Sequence, residues 1–127
     1  MAGELITRTN RVVDLTTGTR VLTINDAGGT FTNLGSSSCV TFTLPAGCPV
    51  GLEFTFAVLV AEMLFIDTPP EDKSSSYIYY AEDYKDNLRA NTIGHAITIK
   101  CVDNLLENEK FIVKSIVGDA WTTYSPE

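Results

Sequence analysis

The sequence predicts an all-β protein, a single-domain antiparallel β-sandwich or barrel of jelly-roll-like or β-tulip-like type with an extended N-terminal arm. Roughly eight to ten short runs rich in β-branched and aromatic residues are separated by turn signals about every 8 to 12 residues. Most runs alternate apolar and polar residues, which is the period of a strand with one buried face. No segment has the length and periodicity of an ordinary helix. Both architectures, sandwich and barrel, satisfy this pattern.

The central stretch, residues 38–60, carries the clearest alternation. Its first arm, residues 40–44, alternates Val, Phe and Leu with two threonines. Its second arm, residues 52–60, places the even-numbered residues on one face, and Leu59 on the other face predicts burial on both sides toward the end. Two prolines and two glycines lie between the arms, and proline cannot donate to a strand ladder. We therefore expect the chain to turn here and return, so that the two arms form a hairpin-like centre.

The same criteria predict strands on either side of this centre. Residues 1–10 have no strong period, so we expect an extended arm over 1–10 and one β domain over 11–127. A chain of 127 residues is long enough to bury a stable hydrophobic core without disulfides or bound metal. The further predicted strands are residues 11–15, 19–25, 30–33, 63–67, 96–102, 110–117 and 120–124.

Charge is distributed unevenly along the chain. Residues 1–20 contain three arginines and two acidic residues, whereas residues 21–127 contain six basic and fourteen acidic residues. An acidic body repels phosphate backbones, so we expect no nucleic-acid partner. The longest uncharged apolar run, residues 54–61, is far shorter than the ~20 residues that span a bilayer, so we expect no membrane partner. The polar start also lacks the apolar segment of a secretion signal.

Three cysteines in an irregular arrangement do not indicate a disulfide framework. Cys39 and Cys48 flank the turn of the central stretch, so a bridge between them is sterically possible. Cys101 continues the alternation of Ile97 and Ile99, which predicts a small buried hydrophobe. This cysteine usage is typical of a chain that folds in a reducing cytoplasm.

Four tyrosines, Tyr77, Tyr79, Tyr80 and Tyr84, lie close together in the sequence. Amphipathic rings are favoured at binding surfaces, so these residues are candidates for subunit contact or surface binding. The structural alternative is that Tyr77 and Tyr79 cover an edge of the sheet while the other two lie in a short helical turn. A charged loop explains the neighbouring carboxylates more simply than paired-carboxylate glycosidase chemistry does.

No residue pattern points to catalysis. His95 is the only histidine, and nothing in the sequence identifies the nucleophile and orienting acid that a catalytic histidine requires. The Asp/Gly turn at residues 25–29 lacks the ligand spacing of a calcium loop. We therefore predict no catalytic residues, no metal, no cofactor and no enzyme activity.

Four motifs together carry a family resemblance. They are residues 5–16 (LITRTNRVVDLT), 40–46 (VTFTLPA), 54–56 (FTF) and 118–122 (GDAWT). With these motifs the chain resembles the small capsid decoration, or cementing, proteins of tailed bacteriophages over most of its length. Related Thr-Leu-Pro-Ala modules are also similar to parts of phage tail and fibre proteins.

The resemblance implies a virion structural protein that binds the phage major capsid protein. It implies synthesis in the bacterial host cytoplasm, assembly as a homotrimer and attachment to the outer surface of the expanded head. The arm would cross neighbouring capsid subunits, adding a strand to a sheet edge and thereby resisting internal DNA pressure. The capsid-binding residues would be the apolar anchors Leu5 and Ile6, the adjacent Thr7, and the cationic Arg8 and Arg11.

Two other functions fit the same sequence. One is a host-recognition module of a tail fibre or spike, in which the tyrosine loop of residues 77–84 contacts a surface glycan. The other is a carbohydrate-binding domain of non-viral origin. The chain contains no heptad or collagen-like shaft, which favours decoration over a fibre.

Overall fold

Nearly all of the regular structure is β-strand, as predicted. The computed structural model describes residues 11–69, 77–80, 83–85, 87–103, 109–118 and 121–122. One 3-10 helix, Ile24–Asp26, interrupts the strands. The strands are β1 (Val12–Asp14), β2 (Gly18–Val21), β3 (Thr30–Thr32), β4 (Val40–Thr43), β5 (Glu53–Ala57), β6 (Leu64–Asp67), β7 (Tyr77–Tyr80), β8 (Asp83–Lys85), β9 (Asn87–Ala90), β10 (Ala96–Asp103) and β11 (Lys110–Val117).

The first six strands alternate between two sheets. The seven-stranded sheet has the order β1-β3-β5-β10-β11-β7-β8, and the four-stranded sheet has the order β2-β4-β6-β9. Each strand from β3 to β6 pairs in parallel with the strand two positions earlier in the chain. Parallel neighbours need a long crossover connection, and here the intervening strand in the other sheet supplies it. We call residues 12–67 the wound region.

The prediction of an antiparallel fold was wrong. Of the nine strand pairings within the described residues, five are parallel and four are antiparallel. Two antiparallel strands, β9 on β6 and β10 on β5, close one end of the wound region. At its other end β1 and β2 are the terminal strands of their sheets within the described part of the chain.

The predicted hairpin at the centre was also wrong. β4 belongs to the four-stranded sheet and β5 to the seven-stranded sheet, so the two strands do not pair. The Pro/Gly connection between them carries the chain across to the facing sheet rather than back alongside β4. The predicted burial on both sides of the second arm was wrong too: β5 ends at Ala57, and Leu59 is 39% exposed.

Four phenylalanine rings from the two sheets meet in the core. Phe31 and Phe42 have centroids 5.6 Å apart, and Phe42 lies 5.6 Å from Phe56, so these contacts join β4 of one sheet to β3 and β5 of the other. Phe54 completes the group at 6.4 Å from Phe31. All four rings are fully buried. Val40, Leu44 and Val58 are fully buried as well, which confirms the predicted inward face of residues 40–44 and the middle of the one predicted over 52–60. Leu52 and Val60, at the ends of that second face, are only half-buried.

Some predicted boundaries fail where local hydrogen bonding competes with the strand. The run predicted over 19–25 stops at Val21, because the Asp26 carboxylate accepts a 2.9 Å hydrogen bond from the Thr23 amide and initiates the 3-10 turn.

β9 was not predicted from the sequence. Its sequence is poor in β-branched residues, and pairing with β6 makes it a strand. Of the strand predicted over 120–124, the described residues show one bridge, between Thr122 and Arg89.

Asn33 holds the connection that follows β5. Its buried amide nitrogen donates to the carbonyl oxygens of Val60, at 3.2 Å, and Glu62, at 2.9 Å. Its oxygen accepts from the amides of Leu59, at 2.8 Å, and Val60, at 3.2 Å. One side chain thus replaces the ladder hydrogen bonds that this bent segment cannot make itself.

Candidate functional site

The predicted capsid-binding residues fall in two groups. Leu5, Ile6, Thr7 and Arg8 lie outside the described residues. Arg11 immediately precedes β1, and its guanidinium donates to the Asp26 carboxylate at 3.0 Å while half of the side chain remains exposed. The role of these residues in binding a capsid stays a prediction.

Asp26 is the buried centre of a small charged cluster at the start of the wound region. Its carboxylate, 4% exposed, accepts hydrogen bonds from Arg11 and from Arg20, the latter at 3.2 Å. With the Thr23 amide also bound, the carboxylate oxygens are committed to partners within the chain. Among the described residues no group of three His, Cys, Asp or Glu side chains is placed to hold a metal ion. Through these hydrogen bonds Asp26 links Arg11, which immediately precedes β1, to Arg20 of β2.

The tyrosine segment is a pair of strands. Tyr77 and Tyr79 belong to β7 and Tyr84 belongs to β8, with Tyr79 directly opposite Tyr84 in an antiparallel register. Tyr80 is the last residue of β7 and pairs with Asp83. The alternative of a short helical turn is therefore wrong. The side chains of Tyr80 and Tyr84 lie outside the described part of the structure.

The outward face of β5, β10, β11 and β7 brings tyrosines and lysines together. Register aligns Glu53, Lys100, Ile112 and Tyr79 in one row across the four strands. Their sequence neighbours Phe54, Ile99, Phe111 and Ile78 are fully buried, so the aligned row points away from the core. We call this surface, made of Tyr77, Tyr79, Lys100, Lys110, Ile112 and Lys114, the Tyr–Lys face.

The contacts within the Tyr–Lys face are specific. The Lys110 ammonium lies 5.3 Å from the centroid of the Tyr77 ring, within range of a cation–π interaction. Lys114 donates to the Glu53 carboxylate at 2.8 Å. Tyr79 is 42% exposed and presents its ring to solvent. Aromatic rings can stack on sugars. The neighbouring ammonium groups can pair with carboxylates.

Sequence reasoning missed the lysines of this face. Alternation in the two long strands could have assigned Lys100 and Lys110 to an outward surface. Nothing in the sequence indicated that β7 pairs in parallel with β11, which sets Lys110 opposite Tyr77. The combination of tyrosine and lysine therefore arises from a pairing between distant strands.

Next to the Tyr–Lys face, hydroxyl groups form a parallel row. Thr30, Thr55, Thr98 and Ser115 are consecutive partners on β3, β5, β10 and β11. The hydroxyls of Thr55 and Thr98 are 3.0 Å apart and share a hydrogen bond. Such cross-strand pairs stabilise the sheet and give its outer surface polar groups of both donor and acceptor type.

The cysteines divide into one exposed and two buried residues. Cys39 is exposed, and Cys48 and Cys101 are fully buried; all three are thiols, so the possible bridge between Cys39 and Cys48 is not formed. The hydrogen bond between the two buried thiols lowers the pKa of Cys101. The same bond, together with burial, raises the pKa of Cys48. The Glu109 carboxylate is buried nearby and accepts a hydrogen bond from the Gly47 amide.

His95 lies at the entrance to β10 and is half-buried. Its amide donates to the Thr92 carbonyl at 3.1 Å, and its carbonyl accepts from the Val58 amide at 2.9 Å. The imidazole lies directly over Gly118, where a Cβ atom would overlap the ring. The buried Nδ1 has no hydrogen-bond partner within the described residues. These contacts give His95 a packing role between β10 and the end of β11.

Comparison with known proteins adds no identification. No protein-family model matches the chain, and no curated protein matches it either. Within the ranges that the structure describes, no helix combines the length and apolar character needed to cross a membrane. Function is therefore inferred from the side chains on the candidate surfaces and from the sequence resemblance.

Proposed function

We propose that this protein is a non-enzymatic structural protein of a phage virion, which binds the outer surface of the expanded head and stabilises it. The proposal rests on the sequence resemblance to decoration proteins and on one structural observation. The wound region is closed by β9 and β10 at one end, whereas its first strands, β1 and β2, are terminal in both sheets among the described residues. Arg11, the first described residue, immediately precedes β1 at this end of the fold.

A terminal strand offers backbone N–H and C=O groups for pairing with another chain. β1 and β2 are short, and each exposes an apolar side chain: Val12 is 61% exposed and Val21 is 62% exposed. Short strands limit indiscriminate pairing while leaving room for one specific added strand. In this proposal the phage major capsid protein is the partner, and the arm residues Leu5, Ile6, Thr7, Arg8 and Arg11 extend the contact to a neighbouring subunit.

The proposal includes a homotrimer over local threefold positions of the shell, made in the host cytoplasm and attached after the shell expands. Its net charge of −7 keeps separate copies apart until a specific surface holds them. Many copies on one particle make modest affinity at each site sufficient. As the finer architecture we propose a sandwich, supported by the ring contacts of Phe42 in one sheet with Phe31 and Phe56 in the other.

The direct test is the position of the native protein in a fractionated phage lysate. Heads and tails are separated on a density gradient, and the copies per particle are counted by quantitative mass spectrometry. Hundreds of copies on DNA-filled heads are the expected result. A few copies on tails would replace decoration by a fibre function, and a protein that stays with no particle would overturn the virion assignment.

A second test concerns the arm. Heads that lack the protein are mixed with the purified protein, with a variant lacking residues 1–10, or with Tyr79→Ala as the matched control. We expect the truncated variant to lose most binding, because the arm supplies the main-chain and apolar contacts. Tyr79→Ala should still attach to heads and should at most weaken assembly between copies. Equal binding by the truncated variant would exclude the arm as the attachment element.

The alternative proposal, a glycan-binding module of a tail fibre or spike, is favoured by the Tyr–Lys face. Tyr79 is exposed, and Lys100 lies between Glu53 and Ile112 in the same row. Replacing Tyr79 by alanine should then abolish binding to host-surface polysaccharide in a glycan pull-down. Under the decoration proposal the native protein itself retains no polysaccharide, so the two proposals give opposite results with the unmodified chain.

A further inference from the structure

Two buried thiols meet where the connection between β4 and β5 touches β10. The backbone of Cys101 pairs with this connection on both sides: its carbonyl accepts from the Gly51 amide at 2.8 Å, and its amide donates to the Leu52 carbonyl at 2.9 Å. The Cys101 Sγ lies 3.3 Å from the carbonyl oxygen of Cys48, a residue 53 positions away in the sequence. Both side chains are fully buried. The fold therefore holds the two cysteines against each other without a covalent bond.

We propose that Cys48 and Cys101 form a disulfide on oxidation, which makes them a covalent modification site within the native fold. The bond would tie the β4–β5 connection to β10 of the seven-stranded sheet. The inference is independent of the proposed virion function, because it rests on the placement of the two side chains. It also differs from the pairing that the sequence allowed, since Cys39 is exposed and takes no part.

A peroxide is the oxidant, and the reaction balances in two steps. The Cys101 thiolate attacks one peroxide oxygen; the O–O bond breaks, a sulfenic acid forms on Cys101, and the other oxygen leaves as water after taking up a proton. The Cys48 sulfur then attacks the Cys101 sulfur, the S–O bond breaks and a second water leaves. Two thiols and one hydrogen peroxide thus give one disulfide and two waters.

The order of these steps follows from the surroundings of the two sulfurs. The hydrogen bond from Cys48 lowers the pKa of Cys101, so Cys101 supplies the thiolate more readily. The pKa of Cys48 is raised by the same bond and by burial, which keeps Cys48 protonated until the sulfenic acid has formed.

The test uses the full chain with Cys39 replaced by serine, so that Cys48 and Cys101 are its only thiols. After treatment with hydrogen peroxide, intact mass is measured under denaturing, non-reducing conditions, and a non-reducing digest is searched for linked peptides. We expect loss of two hydrogens, one linked pair of peptides and recovery of the original mass after reduction. The oxidised protein should also melt at least ~5 °C higher, because the bond closes a long loop.

Two controls make the result decisive. The Cys39→Ser/Cys48→Ser variant has no partner for Cys101 and should gain oxygen rather than lose hydrogens. In the native chain, oxidation of the exposed Cys39 shows that the peroxide dose is effective. If Cys39 reacts at that dose while Cys39→Ser keeps two thiols or gains only oxygen, the proposed pairing is wrong.

Discussion

Asn33 uses its whole side chain to support the segment between β5 and β6. A carboxamide offers two N–H donors and an oxygen that accepts twice, and Asn33 uses all four possibilities with backbone groups of residues 59–62. The residue is fully buried, so water cannot replace a lost partner. Its importance follows from geometry, because in the sequence it is one polar residue among several near a turn.

We predict that Asn33→Ala lowers the free energy of unfolding by about 2–4 kcal/mol, because four part-buried hydrogen bonds to the backbone of residues 59–62 are lost. Asn33→Asp should also destabilise, since a carboxylate cannot donate to the two carbonyl oxygens. A buried aspartate would have a raised pKa, so the stability of this variant should recover as the pH falls from neutral toward mild acid. Urea unfolding measures both effects. The matched control is Asn91→Ala at an exposed position; an equal loss there would contradict the assignment.

Gly118 and Gly94 provide a matched pair for testing the His95 contact. Both have positive φ, +92° and +94°, but a Cβ at Gly118 would overlap the His95 imidazole whereas a Cβ at Gly94 would meet nothing within 4 Å. Gly94→Ala should therefore show the backbone cost alone, about 1–3 kcal/mol. Gly118→Ala should cost more, and adding His95→Ala should recover the excess in a double-mutant cycle measured by thermal unfolding. Equal costs at the two glycines would show that His95 moves aside freely.

At the scale of elements, the first turn of the wound region depends on Asp26. β1 and β2 have few buried residues of their own, and the buried carboxylate joins them through Arg11 and Arg20. This contact compensates for the position of both strands at the ends of their sheets. Arg11, one of the predicted capsid-binding residues, therefore also stabilises this end of the fold.

We predict that Asp26→Asn lowers the free energy of unfolding by about 1–3 kcal/mol, because Arg20 keeps a half-buried charge without its counter-ion. Amide hydrogen exchange should accelerate in β1 and β2 more than in β10 and β11. The matched control is Glu53→Gln, which breaks the exposed pair with Lys114 and should cost less than ~1 kcal/mol. Uniform acceleration across all strands would contradict a local role for Asp26.

At the scale of the whole molecule, the buried apolar residues of the described part of the chain form one core. The buried apolar residues run from Leu22 to Trp121, and they join the two sheets into one cluster. We predict that residues 1–10 contribute little to this core.

Removal of residues 1–10 should leave the melting temperature within ~2 °C of the native value, because the core contacts are retained. Removal of residues 1–21, which also deletes β1 and β2, should lower the melting temperature clearly. Phe31 on the neighbouring β3 and Leu22 after β2 would then become more exposed to solvent. Differential scanning calorimetry of both variants measures the difference. A large loss on removing residues 1–10 alone would show that the arm belongs to the folding unit.

The amino-acid sequence by itself determined the all-β class, most of the strands and which residues face inward. Val40, Phe42 and Leu44 are buried as their alternation predicted, and so are Ile97, Ile99 and Cys101. These properties are local, because alternation fixes which side of a strand is apolar whatever the strand pairs with. The tyrosine segment could likewise be selected from its composition alone.

Only the tertiary structure decided how the strands pair. Alternation is the same for parallel and antiparallel neighbours, so the pattern around Pro45 and Pro49 could not show that the chain crosses to the facing sheet. The approach of Lys110 to Tyr77, the contact of Cys48 with Cys101 and the burial of Asn33 all depend on that choice. Each joins residues far apart in the chain, and their proximity is set by packing of the whole core rather than by any local preference.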